Sequence, residues 1–182
     1  MRITGGEYKN KKLFVPEGGH VRPTSDRMRQ SLFNMLHHAK WADDFEFDGA
    51  RVLDLFCGTG ALGLEALSHG ASHCLFIDQD IHAVQRNTAF LDNDQFRVVK
   101  ANALNFGKGQ ADINLVFLDP PYNKDLIEPT LKNLIERQWL SNGAIVIIES
   151  EKNCKFDIGL ELLDTRTQSK SDIHILRYNS AV

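Results

Sequence analysis

From Asp48 onward the chain alternates short apolar runs with stretches of helical spacing, and this alternation constrains the fold more than any other feature. The runs are Arg51 to Phe56, His73 to Ile77, Phe96 to Lys100, Ile113 to Leu118 and Ala144 to Glu149. Between them, Ala61 to His69 ends at Gly70, a helix stop, Ile81 to Leu91 has helical spacing, and Leu126 to Gln138 turns Leu131, Leu134 and Ile135 inward. Strands that alternate with helices pair in parallel through right-handed crossovers, so the pattern predicts a doubly wound α/β sheet. Glu161 to Thr167 and Ile173 to Tyr178 have only the polar turn Gln168 to Asp172 between them and no helix. They predict an antiparallel carboxyl-terminal hairpin on the sheet edge.

The residues before this pattern read differently. Residues 1 to 22 are short extended pieces with reversals at Lys9-Asn10-Lys11 and Glu17-Gly18-Gly19, which predicts a small amino-terminal β-hairpin. Pro23-Thr24-Ser25-Asp26 offers a helix cap, and Met28, Leu32, Met35, Leu36 and Ala39 follow at helical spacing to about Lys40. The expected division is a hairpin-and-helix extension over residues 1–47 and a sheet core over 48–182. A length of 182 residues at 42% hydrophobic and 25% charged suits one soluble core carrying such an extension and excludes disorder throughout.

Charge is distributed unevenly. Residues 1 to 30 carry seven basic side chains (Arg2, Lys9, Lys11, Lys12, Arg22, Arg27, Arg29) against three acidic ones, so the remainder holds −7 of a total of −3. A basic leading segment on an acidic body suits a polyanionic partner, and a solvated lysine-rich loop is the alternative. No apolar run approaches the roughly 18 residues a spanning helix needs, and the start has no apolar signal core, so no membrane and a cytoplasmic location are expected. Cys57, Cys74 and Cys154 are an odd set without a C-x-x-C pair, which suggests neither disulfides nor a metal knuckle.

Two constellations carry chemistry. Asp54-Leu55-Phe56-Cys57-Gly58-Thr59-Gly60-Ala61-Leu62-Gly63 runs from a strand through a glycine turn into a helix, where unpaired N–H groups can meet a nucleotide. Asp78 lies 20 residues beyond Gly58, at the end of the second strand, where a carboxylate accepts from ribose hydroxyls. The glycines alone fit a nicotinamide-dependent oxidoreductase as well as a methyltransferase. Asp54 favours the latter, because its charge repels a pyrophosphate and attracts the amino group or sulfonium of S-adenosylmethionine.

The second constellation, Asp119-Pro120-Pro121-Tyr122, directly follows the fourth apolar run. Each proline fixes φ and lacks an N–H, so the Pro120 carbonyl is free to point outward beside the Asp119 carboxylate. Two acceptors hold both N–H groups of an exocyclic amine on a nucleobase, and Tyr122 offers a face for stacking, worth about 1–3 kcal/mol elsewhere. Position at the carboxyl end of a strand is where open α/β sheets bind ligands. No metal and no covalent nucleophile is called for. A DNA or RNA adenine-N6 or cytosine-N4 methyltransferase shares this chemistry, and a non-catalytic RNA-binding assembly factor is the alternative outside it.

The runs Asp54 to Ser68 and Asp119 to Tyr122 resemble the Rossmann-like, seven-stranded S-adenosylmethionine-dependent methyltransferases that modify exocyclic amines. Arg2-Ile3-Thr4-Gly5-Gly6, Lys12-Leu13 and Arg22-Pro23-Thr24-Ser25-Asp26-Arg27 through Leu32-Phe33-Asn34 are similar to the bacterial 16S ribosomal RNA guanine-N2 methyltransferase family. The resemblance implies donor contacts at Asp54, Gly58 and Gly60, ribose at Asp78, adenine near Asn102 and Ala103, and the target base at Asp119, Pro120 and Tyr122. It implies a monomer acting on 16S ribosomal RNA in a small subunit or assembly intermediate, held by Lys9, Lys11, Lys12, Arg22, Arg27 and Arg29. Asn10, Cys57 and Asp78 depart from the family's usual glycine, alanine and glutamate.

Overall fold

The computed structural model describes residues 1–17, 26–122, 125–154, 156, 159–168 and 171–180. Its strands are β1 (Arg51–Leu55), β2 (His73–Asp78), β3 (Phe96–Lys100), β4 (Ile113–Leu118), β5 (Leu140–Glu151), β6 (Glu161–Thr167) and β7 (Ser171–Arg177). Its helices are α1 (Asp26–His38), α2 (Ala61–Ser68), α3 (His82–Thr88) and α4 (Ile127–Glu136). The strands form one sheet in the order β3-β2-β1-β4-β5-β7-β6. β1 to β5 pair in parallel, while β7 runs antiparallel to both β5 and β6. The doubly wound sheet and its terminal hairpin are therefore those the alternation predicts. β5 differs in starting at Leu140 rather than Ala144, where Gly143 adopts φ 82° and the pairing with β4 shifts register.

The central strands are covered on both faces, which is why they read as continuous apolar runs. On one face Val52, Phe76, Leu115 and Phe117 pack with Leu32, Phe33 and Leu36 of α1, Leu64 and Leu67 of α2 and Val84 of α3. On the other, Leu53, Leu55, Val116 and Leu118 pack with Leu131 and Leu134 of α4. α2 seats close to the sheet because position 63 is glycine: a Cβ there would lie 2.4 Å from Phe76 Cε1 and 2.5 Å from Cys74 Sγ.

The leading segment turns at Asn10 (φ 70°) and closes through the Arg2–Lys12 bridge, with Ile3 N–H donating to the Lys11 carbonyl at 3.0 Å. Its main anchorage is long-range. Glu65 on α2 accepts from Thr4 N (2.8 Å), Thr4 Oγ1 (2.6 Å) and Gly5 N (2.7 Å), and Ile3 and Leu13 join the core. Burial works to raise Glu65, but hydrogen bonds from His69, Thr4 and Gly5 outweigh it and hold the carboxyl below its usual range.

One basic residue is reassigned by this packing. Arg29, expected to meet RNA, is fully buried, with Nη2 2.8 Å from Asp26 Oδ1 and 2.5 Å from the Arg2 carbonyl, and Nε 3.5 Å from Glu65 Oε2. It falls on the same helical phase as Leu32, Phe33 and Leu36, so its charge is neutralised inside the protein and does not reach a phosphate. Arg22, the Pro23-Thr24-Ser25 cap and the Gly18-Gly19 reversal lie outside the described residues.

Candidate active site

Register brings the site together. Leu55 pairs with both Ile77 and Leu118, and Leu118 pairs with Ile148. One residue further along each strand, Phe56, Asp78, Asp119 and Glu149 form a row at the carboxyl ends of four neighbouring parallel strands, where such sheets bind ligands.

The chain leaves β1 through three left-handed residues, Phe56 (φ 57°), Gly58 (φ 52°) and Gly60 (φ 74°), before α2 begins at Ala61. Phe56 bears a Cβ, so this turn stores roughly 1–3 kcal/mol that its surroundings must offset. Two carboxylates brace it. Gly58 N–H donates to Asp78 Oδ2 at 2.8 Å, and Gly63 N–H, in the first turn of α2, donates to Asp54 Oδ2 at 2.9 Å. Asp54 is 2% exposed, and burial together with the Asp78 charge pushes its carboxyl up to about 7 against the opposing Gly63 bond. Cys57 is buried in the same turn, and burial drives its thiol far above the ordinary range, as befits a packing residue.

Past β3, Asn102 is exposed and its Oδ1 accepts the Leu104 N–H at 3.0 Å, while Ala103 is buried in the second core. Past β4, Asp119 is half-buried, Pro120 is buried and Tyr122 is 41% exposed. Burial, with the charges of Glu149 and Asp54, pushes the Asp119 carboxyl up to about 8. Tyr122 Oη donates to Glu149 Oε1 at 3.3 Å, and burial beside Glu149 raises the phenol, so it stays a donor. Glu149 is the site residue that sequence reasoning misses, although it ends the fifth apolar run as Asp119 follows the fourth.

Among the described residues, no Lys or Arg ion pair reaches Asp54, Asp78, Asp119 or Glu149. Four carboxylates around one strand end repel one another and favour a positively charged ligand. Of the basic residues outside this site, Lys9, Lys11 and Lys12 are exposed, with Lys11 Nζ 4.2 Å above the Phe90 ring, and Arg27 opens α1.

A sheet of this order, with a glycine turn after β1 and an Asp-Pro-Pro-Tyr turn after β4, defines a Rossmann-like methyltransferase. The chain belongs to the family described as Conserved hypothetical protein 95, whose model matches residues 1–178. It is 41% identical over 156 residues to ribosomal RNA small subunit methyltransferase D of Escherichia coli strain K12, covering 83% of this chain and 75% of that protein. The protein of the same name from Haemophilus influenzae is 33% identical over 161 residues, covering 84% and 80%. The solved structure of Escherichia coli yhhF is 34% identical with a TM-score of 0.84, covering 100% of this chain and 99% of that one.

Proposed function

We propose that this protein transfers a methyl group from S-adenosylmethionine to N2 of a guanine in 16S ribosomal RNA, within a small subunit or an assembly intermediate. The observation that carries the reading is the pair of carboxylates, Asp54 and Asp78, that brace the glycine turn. It suits a donor with an ammonium and a sulfonium and disfavours the pyrophosphate of a dinucleotide, which leaves methyl transfer over hydride transfer. The names of the similar proteins support ribosomal RNA of the small subunit as the acceptor.

In this reading Asp54, Gly58 and Gly60 line the donor, Asp78 accepts from its ribose hydroxyls, and Asn102 with Ala103 borders its adenine. When bound, S-adenosylmethionine supplies an electrophilic methyl group whose S–C bond breaks with its electron pair passing to sulfur. Asp119 and the Pro120 carbonyl hold the two N–H groups of the acceptor, so the nitrogen lone pair is aimed at that carbon. Tyr122 stacks on the base. The carboxylate of Asp119, with its proton affinity raised to about 8, is suited to take the proton that nitrogen loses once the new N–C bond forms. Holding both partners in line contributes roughly 7–11 kcal/mol to such a reaction. Lys9, Lys11, Lys12, Arg22 and Arg27 hold the RNA, and the protein acts as a cytoplasmic monomer.

The test is transfer of labelled methyl from S-adenosylmethionine to small subunits from a strain lacking the protein, followed by digestion to nucleosides. N2-methylguanosine is expected. N6-methyladenosine, N4-methylcytidine or label confined to DNA would overturn the acceptor, and RNA binding without transfer would overturn catalysis.

A further inference from the structure

We propose that Glu149 is the residue that makes the acceptor site selective for guanine, its carboxylate accepting the guanine N1–H while Asp119 and the Pro120 carbonyl hold the 2-amino group. The inference rests on the reading above and adds to it the group that reads the base.

An Asp-Pro-Pro-Tyr turn accepts any exocyclic amine, since it engages only the two N–H groups that adenine, cytosine and guanine share. The bases differ in the ring atom beside that amine. In guanine one of the two flanking ring atoms is N1–H, a donor, opposite N3; in adenine and cytosine the only flanking ring nitrogen carries a lone pair and no hydrogen. A second carboxylate next to the amine site therefore attracts guanine and repels the other two.

The sheet provides that second carboxylate. Leu118 and Ile148 are paired across β4 and β5, so Asp119, just past β4, and Glu149, within β5, stand at the same level, with strand axes about 4.8 Å apart. Residues level on paired parallel strands point to the same face. Tyr122 Oη donates to Glu149 Oε1 at 3.3 Å, which ties the stacking ring to this carboxylate. That bond uses one of roughly four acceptor positions on a carboxylate, leaving the rest for a ligand. Glu149 is half-buried, opposite Ile173 of β7, and lies close enough to Asp119 for its charge to raise that carboxyl. No Lys or Arg ion pair engages it among the described residues.

The experiment uses small subunits reconstituted on ligated 16S RNA with either guanine or 2-aminopurine at the nucleotide the wild-type protein methylates. 2-Aminopurine keeps the 2-amino group and replaces N1–H by a lone pair. The wild type is expected to favour guanine by more than about tenfold in kcat/KM, the contribution of one hydrogen bond to a charged acceptor. Glu149→Gln, whose amide can present either an oxygen or an N–H, is expected to bring the two substrates within about threefold. Glu149→Asp keeps the anion and is expected to keep the preference for guanine. Equal wild-type rates on the two substrates, or a Glu149→Gln variant with the wild-type preference, would overturn the assignment. A wild type that leaves the guanine subunits unmethylated would instead overturn the proposed reaction.

Discussion

The Gly58 N–H points at Asp78 Oδ2 from 2.8 Å, so the residue proposed to meet the donor ribose also braces the turn proposed to receive the donor. Asp80 N–H takes the other oxygen of Asp78 at 3.0 Å. Asp78→Ala removes a ligand contact and a loop brace together, and calorimetry is expected to show S-adenosylmethionine binding at least about tenfold weaker, the scale of a charged hydrogen bond. Asp78→Asn keeps an acceptor for Gly58 and should fall between the two. Unchanged affinity in the alanine variant would remove Asp78 from the donor site.

Asp119 is assigned to the acceptor, so Asp119→Ala is expected to leave donor binding near the wild-type value. Single-turnover transfer under saturating RNA should fall by about 10²–10⁴, the range for loss of a positioned acid–base group. Wild-type transfer by this variant would show that the turn does not hold the amine.

The raised carboxyls give the protein two pH signatures. In the proposed reaction Asp119 works as a carboxylate, so kcat/KM is expected to rise with pH through the region near 8, and Glu149→Gln, which removes a repelling charge, should move that limb to lower pH. Stability should run the other way. Asp54 and Asp119 keep their protons to about 7 and about 8 in the folded protein, whereas the unfolded chain releases them at about pH 4. The folded state binds more protons between those limits, so thermal stability is expected to fall as pH rises across that window. A melting series in which Asp119→Asn does not flatten the fall would contradict the electrostatic picture of the site.

The basic residues divide by environment. Replacing Lys9, Lys11 and Lys12 together with alanine is expected to flatten the dependence of log RNA affinity on log salt, by about 0.7–0.9 for each phosphate these lysines cease to neutralise. Arg29→Ala should act on stability, costing about 3–5 kcal/mol because it takes the guanidinium away from the buried Glu65 carboxylate. Filter binding across a salt series and thermal melting separate the two effects, and an Arg29→Ala protein that melts like wild type while losing RNA affinity would reverse the reassignment.

What is legible in the sequence is local. Strands covered on both faces announce themselves as apolar runs, and the glycine turn and the Asp119 to Tyr122 turn are each contiguous, so their residue types and order carry the chemistry. What escapes depends on pairings across the chain. Arg29 shares a helical phase with Leu32, Phe33 and Leu36, a sign of burial, but its partner Glu65 is 36 residues away. Thr4 reaches Glu65 across 61 residues, which is why the leading segment reads as a free-standing hairpin in one dimension and packs as part of the core in three. Glu149 becomes a neighbour of Asp119 only once β5 is known to lie beside β4, and β5 begins at Leu140, ahead of the apolar run, with Gly143 turning the backbone between them.

Glu65 makes the leading segment and the core depend on each other. A single buried anion serves Thr4, Gly5 and Arg29 from the middle of the helix that follows the glycine turn. A graft of a different leading segment onto this core would strand that anion, and a graft of this leader onto another core would strand its donors. The basic leader and the sheet core are thus joined through one buried anion, and neither keeps its polar groups satisfied without the other.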